Sequence, residues 1–284
     1  LLKAMARAEA FGKEGARSQV NVVIVGGGAT GVQLAAELHE AGIRISDYGL
    51  SQDSVADELK ITLIEGGPRI LGPLPERVSE AASALLVERG IQVETSCRVS
   101  EVTQHAVRTA DREFPADLCV WAAGIQAPAL LEKLGLPLTR QHQIQVDDHL
   151  VTSDPNVYAL GDCAAAPWAG TDKTVPARAQ AAHQQASYLF KVLSARMNNA
   201  APVAEGFRFR DFGSLVSLGH SEGVGSLMGG LSGPNLKVEG WVARIMYSSS
   251  HWTHYAAVLG IWGATMRSLA RVLTRRSRPR VKLH

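Results

Sequence analysis

Three glycines carry the first chemistry that this sequence offers. Gly26, Gly28 and Gly31 stand in G-x-G-x-x-G spacing, with Gly27, Ala29 and Thr30 between them. In a dinucleotide loop the first glycine allows a tight turn and the second lets the backbone approach the pyrophosphate. The third lets helix and strand pack closely. The pyrophosphate then sits on a helix N-terminus, where unsatisfied N–H groups and the helix dipole favour an anion. The spacing alone is a weak signal; it needs a strand before it and a helix after it. The next apolar run ends in an acid, Glu65. A carboxylate there accepts hydrogen bonds from adenosine ribose hydroxyls and repels a 2′-phosphate, which favours NADH over NADPH. A second centre is Gly161-Asp162, after Tyr158-Ala159-Leu160. Gly161 permits close backbone approach, and Asp162 suits ligand hydroxyls such as those of a ribityl chain. Taken alone, a turn-forming Asp explains that dipeptide equally well.

The elements that must position these residues follow from pattern. Gln19 to Val25 is a β-branched run ending at glycines, the mark of a buried parallel strand. Gly31 to Ala41 reads as a helix with Val32, Ala35, Ala36 and Leu38 on its packed side. Residues 44–58 form a polar insertion, which lengthens the interval from Gly31 to Glu65 beyond the usual ~20 residues. Ile61 to Ile64 is the second strand, Pro75 to Gly90 a helix, Ile91 to Thr95 a short strand. Val99 to Phe114 alternates as hairpin strands, and Leu118 to Ala122 closes the sheet. This order of βαβ, β-meander and closing strand predicts an α/β, Rossmann-like NAD(H)-binding domain over 18–135. A second unit over 136–210 has expected strands at Ile144 to Val146 and Val157 to Leu160, then a long helix from Pro176 to Met197. Phe207 to Gly219 reads as strand again, and Trp241 to Leu273 turns helical.

Net charge is +2, from 29 Lys and Arg against 27 Asp and Glu. It is unevenly spread. Residues 240–284 hold seven Arg, one Lys and no acid, so this +8 tail leaves −6 on the remainder. Trp252, Tyr255, Leu259, Trp262, Met266, Leu269 and Leu273 are spaced by threes and fours, an apolar stripe on a helix. Arg267, Arg271, Arg275, Arg276, Arg278, Arg280 and Lys282 flank or follow it. Stripe and basic flank together predict a helix lying in a membrane interface. A core-packed helix, or a coiled-coil helix forming a homodimer, is the competing reading. Gly260 and Gly263 weaken the helix and are where it is expected to break. Nucleic acid is disfavoured as a partner, because the aromatics line the apolar side. Cys97, Cys119 and Cys163 are scattered without a C-x-x-C pair, which argues against a disulfide framework, a zinc site or a dithiol centre. No apolar run reaches the length of a bilayer span.

The Gly26 loop, Ala122-Ala123-Gly124 and Tyr158 to Asp162 occur in an order that resembles the two-dinucleotide flavoproteins of the pyridine-nucleotide–disulfide-reductase type. Ala179-Gln180-Ala181-Ala182-His183-Gln184-Gln185 fits A-Q-x-A-x-Q-Q, which is similar to the helix beside the flavin ring and quinone tunnel of type II NADH dehydrogenases. The tail is similar to the C-terminal membrane anchor of that family. The resemblance implies FAD and NADH as cofactors and a non-proton-pumping NADH:quinone oxidoreductase of the respiratory chain. It would lie peripherally on the cytoplasmic face of the inner membrane. It further implies that Gly26, Gly27, Gly28, Ala29, Thr30, Gly31, Gln33, Glu65, Ala123 and Gly124 serve NADH. Gly161, Asp162, Ala179 and Gln180 would serve FAD, and Gln180 and Gln184 would orient the flavin ring and the quinone head. Residues 211–284 become the membrane-association region, and residues 1–17 a helix leading out of an FAD-binding half. Two departures stand out. Only one G-x-G-x-x-G occurs, so the 284 residues are expected to hold half of an FAD site. Gln33 stands where many members have Glu, and an amide cannot exchange a proton as a carboxyl does. A soluble reductase with a protein acceptor and a non-catalytic NAD-binding module remain open alternatives.

Overall fold

The computed structural model describes residues 19–45, 59–217, 223–227 and 241–273. The expected helix over 1–17, residues 46–58 of the polar insertion, the end of the Phe207 to Gly219 stretch and the basic residues after Leu273 lie outside them.

Two compact units divide the chain. The first runs to Gly124 and includes Gly213–Leu227 and the C-terminal helix; the second is essentially Ile125–Phe212. The first unit begins with β1 (Val20–Val25), α1 (Ala29–Ile45) and β2 (Leu59–Ile64). It continues through α2 (Glu76–Glu88), β3 (Gln92–Glu94) and the meander β4 (Val99–Val102), β5 (Ala106–Thr109) and β6 (Glu113–Pro115). β7 (Leu118–Trp121) closes it. The main sheet has the order β3-β2-β1-β7, and the pairs are parallel, Val22 opposite Ile61 and Leu118.

Both faces of this sheet are covered, so β1 has no apolar–polar alternation. Val20, Val22 and Ile24 pack with Leu59, Ile61 and Leu63 beneath Val32, Ala35 and Ala36 of α1 and Val78, Ala82 and Leu86 of α2. Val23, Val25 and Ile64 face the other way, onto Val107 and Phe114 of the meander. The α/β, Rossmann-like class expected from the sequence is therefore the observed one. α2 has no side-chain cap; its first turn is met by the Pro75 carbonyl, and buried Ser79 Oγ donates to the Ile70 carbonyl at 2.6 Å.

In the second unit, β8 (Ile144–Gln145) pairs in parallel with β9 (Ala164–Ala165), and α3 (Ala179–Met197) follows. Val157 to Leu160 is not the strand expected. Only a single bridge joins Tyr158 to Val151. The cause is the Asp154-Pro155-Asn156 turn: Val157 N–H donates to the Asp154 carbonyl and Asn156 N–H to Asp154 Oδ1, which curls the chain before a ladder can extend. Leu150, Ala166, Val175, Leu189, Phe207 and Phe209 form this unit's core, with Trp168 edge-on to Phe209 at 5.3 Å.

β10 (Gly213–Ser217) and β11 (Gly223–Leu227) make an antiparallel pair, and α4 spans Trp241–Leu273. At Gly260 the backbone leaves helical geometry (φ 72°, ψ 166°). The helix thus falls into two halves, with the break at Gly260, one of the two glycines where it is expected. Arg267 stacks over the Tyr255 ring at 4.7 Å. Twelve residues along a straight helix put about 18 Å between them, farther than the two side chains span. The helix must therefore bend sharply at Gly260. Among the described residues no helix is long and apolar enough to cross a membrane.

Candidate functional site

The first unit brings the glycine loop to the carboxyl ends of β1, β2 and β7. Gly26 N–H donates to the Ile64 carbonyl at 2.7 Å and its φ is 114°. A Cβ there would lie 2.7 Å from the Ala122 carbonyl and the Ala123 nitrogen, so no larger residue fits between β1 and β7. A Cβ on Gly31 would overlap the Gly26 carbonyl oxygen. Gly28, by contrast, faces open space. The loop is therefore packed at both ends and bare in the middle. N–H groups in the first turn of α1 have no intrahelical acceptor, and that turn holds no acid. Such a cradle fits a phosphate bridge, which is the chemistry required for NADH.

Glu65 lies just past β2, and both its carboxylate oxygens are engaged. Oε2 accepts from Gly27 N–H and Oε1 from Gly67 N–H, each at 2.6 Å. Its own backbone is tied to the Glu94 carbonyl and to Cys97 N–H. A carboxylate has about four acceptor positions, so two remain for ribose hydroxyls. Glu65 thus joins the loop to the chain beyond β2. Gln33 sits half-buried on α1 and donates to Glu37 Oε1 at 3.0 Å. Ala123 accepts from Trp121 Nε1, and Gly124 follows at φ 78°.

Nearby in this unit, Arg112 pairs with Glu94 at 2.7 Å. Glu94 is held below the usual carboxylate range by a hydrogen bond from Gln92 first and Arg112 second. Burial pushes the Cys119 thiol up, which leaves it a poor nucleophile. All three cysteines are free.

The second unit holds Gly161-Asp162 as the start of a 3₁₀ turn, Gly161–Cys163, rather than as the end of a strand. Gly161 (φ 74°) donates its N–H to Gln185 Oε1 at 2.7 Å. Gln143 Nε2 donates to the Asp162 carbonyl at 2.9 Å. The Asp162 side chain is exposed, and no described residue hydrogen-bonds its carboxylate. An unengaged acid on a clamped turn fits the hydroxyls of a ribityl chain.

Ala179 opens α3, one residue after Arg178. The two glutamines that the sequence singles out lie one turn apart and meet the segment ending the unit. Gln180 donates to Asp211 Oδ1 and accepts from Phe212 N–H, both at 3.1 Å. Gln184 accepts from Arg210 N–H at 3.0 Å and donates to its carbonyl at 2.9 Å. Arg178 adds an ion pair to Asp211. Both carboxamides therefore latch the 210–212 segment, which is not the strand expected from Phe207 on, to the helix; the strand begins only at Gly213. Sequence reasoning missed Gln143 altogether, and saw Gln185 only as part of the A-Q-x-A-x-Q-Q pattern, with no role of its own. Gln185 does carry a signal, since it falls in phase with buried Ala181 and Leu189 where a leucine would be expected.

Residues 1–186 match the family model of pyridine nucleotide-disulphide oxidoreductases. A type II NADH:quinone oxidoreductase of Haemophilus influenzae is 39% identical over 271 residues, which is 94% of this chain and 60% of the relative. An NADH dehydrogenase-like protein of Bacillus subtilis is 31% identical over 73% of this chain and 53% of its own length. The chain thus spans rather more than half of the length of these relatives. Among solved structures, NDH2 from Plasmodium falciparum in complex with NADH superposes with a TM-score of 0.73 at 18% identity, covering 99% of this chain and 72% of that one. With its glycine cradle, its Glu65 clasp and this match over residues 1–186, the chain belongs to the pyridine nucleotide-disulphide oxidoreductase family.

Proposed function

We propose that the protein is a type II NADH dehydrogenase, an FAD-dependent NADH:quinone oxidoreductase. The observation that carries the reading is the Gly26 loop, bare at Gly28 and locked to Glu65. In the overall reaction NADH, a quinone and one proton give NAD⁺ and a quinol. Bound flavin supplies the two-electron chemistry between donor and acceptor. The chain's own residues bind and orient. The N–H groups of Gly28, Ala29 and Thr30 meet the pyrophosphate, and Glu65 accepts from the adenosine ribose. Ala123 and Gly124 border the loop where the nicotinamide half leaves it. Asp162 would hold the ribityl chain of FAD. Likeness to the Haemophilus enzyme supports quinone as acceptor.

Residues 18–135 serve NADH and 136–210 serve FAD in this reading. The tail of 211–284 sits on a membrane surface. Val258, Leu259, Ile261, Trp262, Met266, Leu269 and Leu273 are all exposed there, which supports a peripheral attachment. The cytoplasmic face of the inner membrane is the side on which NADH is available.

Purification of the full-length protein tests this. A yellow, FAD-loaded product should oxidise NADH on addition of a ubiquinone or menaquinone analogue and float with anionic vesicles. A product that stays in solution and reduces ferredoxin but not quinone would overturn the acceptor.

A further inference from the structure

We propose that Gln185 is a positioning residue for the flavin-binding turn, with Gln143 its counterpart at the other end of the same dipeptide. The inference rests on the reading of Asp162 as a flavin ligand. Gln185 is 2% exposed, in the buried row that Ala181 and Leu189 otherwise fill with apolar atoms. Burying a carboxamide is costly unless it is hydrogen-bonded. For packing alone, an aliphatic residue of similar size would serve. What the amide does is take the Gly161 N–H at 2.7 Å.

That N–H belongs to a residue at φ 74°, after Leu160 in an extended conformation. The chain reverses sharply there. With Gln185 on the Gly161 N–H and Gln143 Nε2 on the Asp162 carbonyl, the peptide group before Gly161 and the one after Asp162 are fixed, one at each end of the dipeptide. Gln143 is itself anchored: its backbone exchanges hydrogen bonds with Thr139. The Asp162 side chain, in contrast, has no bond to a described residue. A backbone gripped twice beneath an ungripped carboxylate is the arrangement needed to hold that carboxylate at a set place for a ligand. Gln180 and Gln184 face the 210–212 segment from the same helix, so α3 carries two separate tasks on two faces.

The test uses the full-length protein reconstituted with FAD and three variants. Gln185→Met keeps length and removes the acceptor. Gln185→Glu keeps an acceptor. Gln143→Leu removes the partner at the surface, where folding is not at stake. Gln185→Met and Gln143→Leu should each weaken FAD binding about tenfold and change the visible circular dichroism of bound flavin. Gln185→Glu should restore much of the affinity. NADH KM in flavin-saturated enzyme should stay within about twofold, since the Gly26 loop lies in the other unit. FAD affinity and flavin spectrum matching wild type in Gln143→Leu would overturn the proposal, even if Gln185→Met failed to fold. A wild-type protein that binds no FAD would instead remove the flavin reading itself.

Discussion

Gly27 and Glu65 stand 38 residues apart in the chain, yet the Gly27 N–H donates to Glu65 Oε2 at 2.6 Å. The loop proposed for the pyrophosphate and the acid proposed for the ribose are thus one hydrogen-bonded object. A change in either is felt by both.

Glu65→Gln should show this. An amide presents an N–H to one of the two backbone donors, so one bond is lost and a donor faces a donor. KM for NADH should rise about tenfold or more, and discrimination against NADPH should narrow as the negative charge disappears. Steady-state kinetics with both nucleotides measures each part. Unchanged KM for NADH would show that the carboxylate serves the loop alone.

Gly31→Ala tests the cradle sterically. Its Cβ cannot coexist with the Gly26 carbonyl, so β1 and α1 must separate. Overpacking of this kind costs about 1–3 kcal/mol. Thermal unfolding and NADH titration should both report it, whereas Gly28→Ala, with open space at its Cβ, should weaken NADH while leaving the melting temperature nearly unchanged.

The paired bonds of Gln184 to Arg210 make a separate prediction. Gln184→Ala removes two neutral hydrogen bonds worth about 1 kcal/mol each. Amide exchange of Arg210 should accelerate. If the carboxamide also orients a quinone head, KM for quinone should rise in the same variant while KM for NADH holds.

His39 predicts a pH dependence. Burial first, and the Arg89 charge second, lower its pKa, with Glu40 opposing. Its Nδ1 is buried without a hydrogen-bond partner among the described residues. The folded chain then holds fewer protons than the unfolded one near the ordinary histidine range of about 6.5. This histidine's stabilising contribution is full above that range and falls away as the pH drops below it. His39→Leu should flatten denaturation midpoints measured between pH 7.5 and 5.5; an equal slope in the variant would assign the dependence elsewhere.

What the sequence made legible was local. β1, the glycine spacing and the acid ending β2 are adjacent signals along the chain, and each lies where expected. Val157 to Leu160 misled because apolar and aromatic residues favour a strand only when a partner strand is available. The turn at Asp154 to Asn156 leaves room for one bridge. The clamp of Gln185 on Gly161 spans 24 residues and depends on how α3 packs, which no spacing rule encodes. Gln180 and Gln184 were visible as a pattern, but their attachment to residues 210–212 was not.

Gly260→Ala tests the break in α4. At φ 72° and ψ 166° an alanine is strained by about 1–3 kcal/mol. The variant should favour a continuous helix and separate Arg267 from Tyr255. Tryptophan emission of the tail should shift, and helical content by far-UV circular dichroism should not fall.

The fold at Gly260 also decides which atoms lead. A straight helix of this length would be a rod of about 50 Å, approaching any flat boundary along its side. Bent there, it becomes two shorter rods of about 28 and 20 Å joined at an apex. Val258, Leu259, Ile261 and Trp262 crowd that apex, and Val258 and Trp262 are 83% and 80% exposed. Among the described residues of the tail, the two most exposed apolar side chains therefore form a greasy prow, with Met266, Leu269 and Leu273 trailing along the second rod.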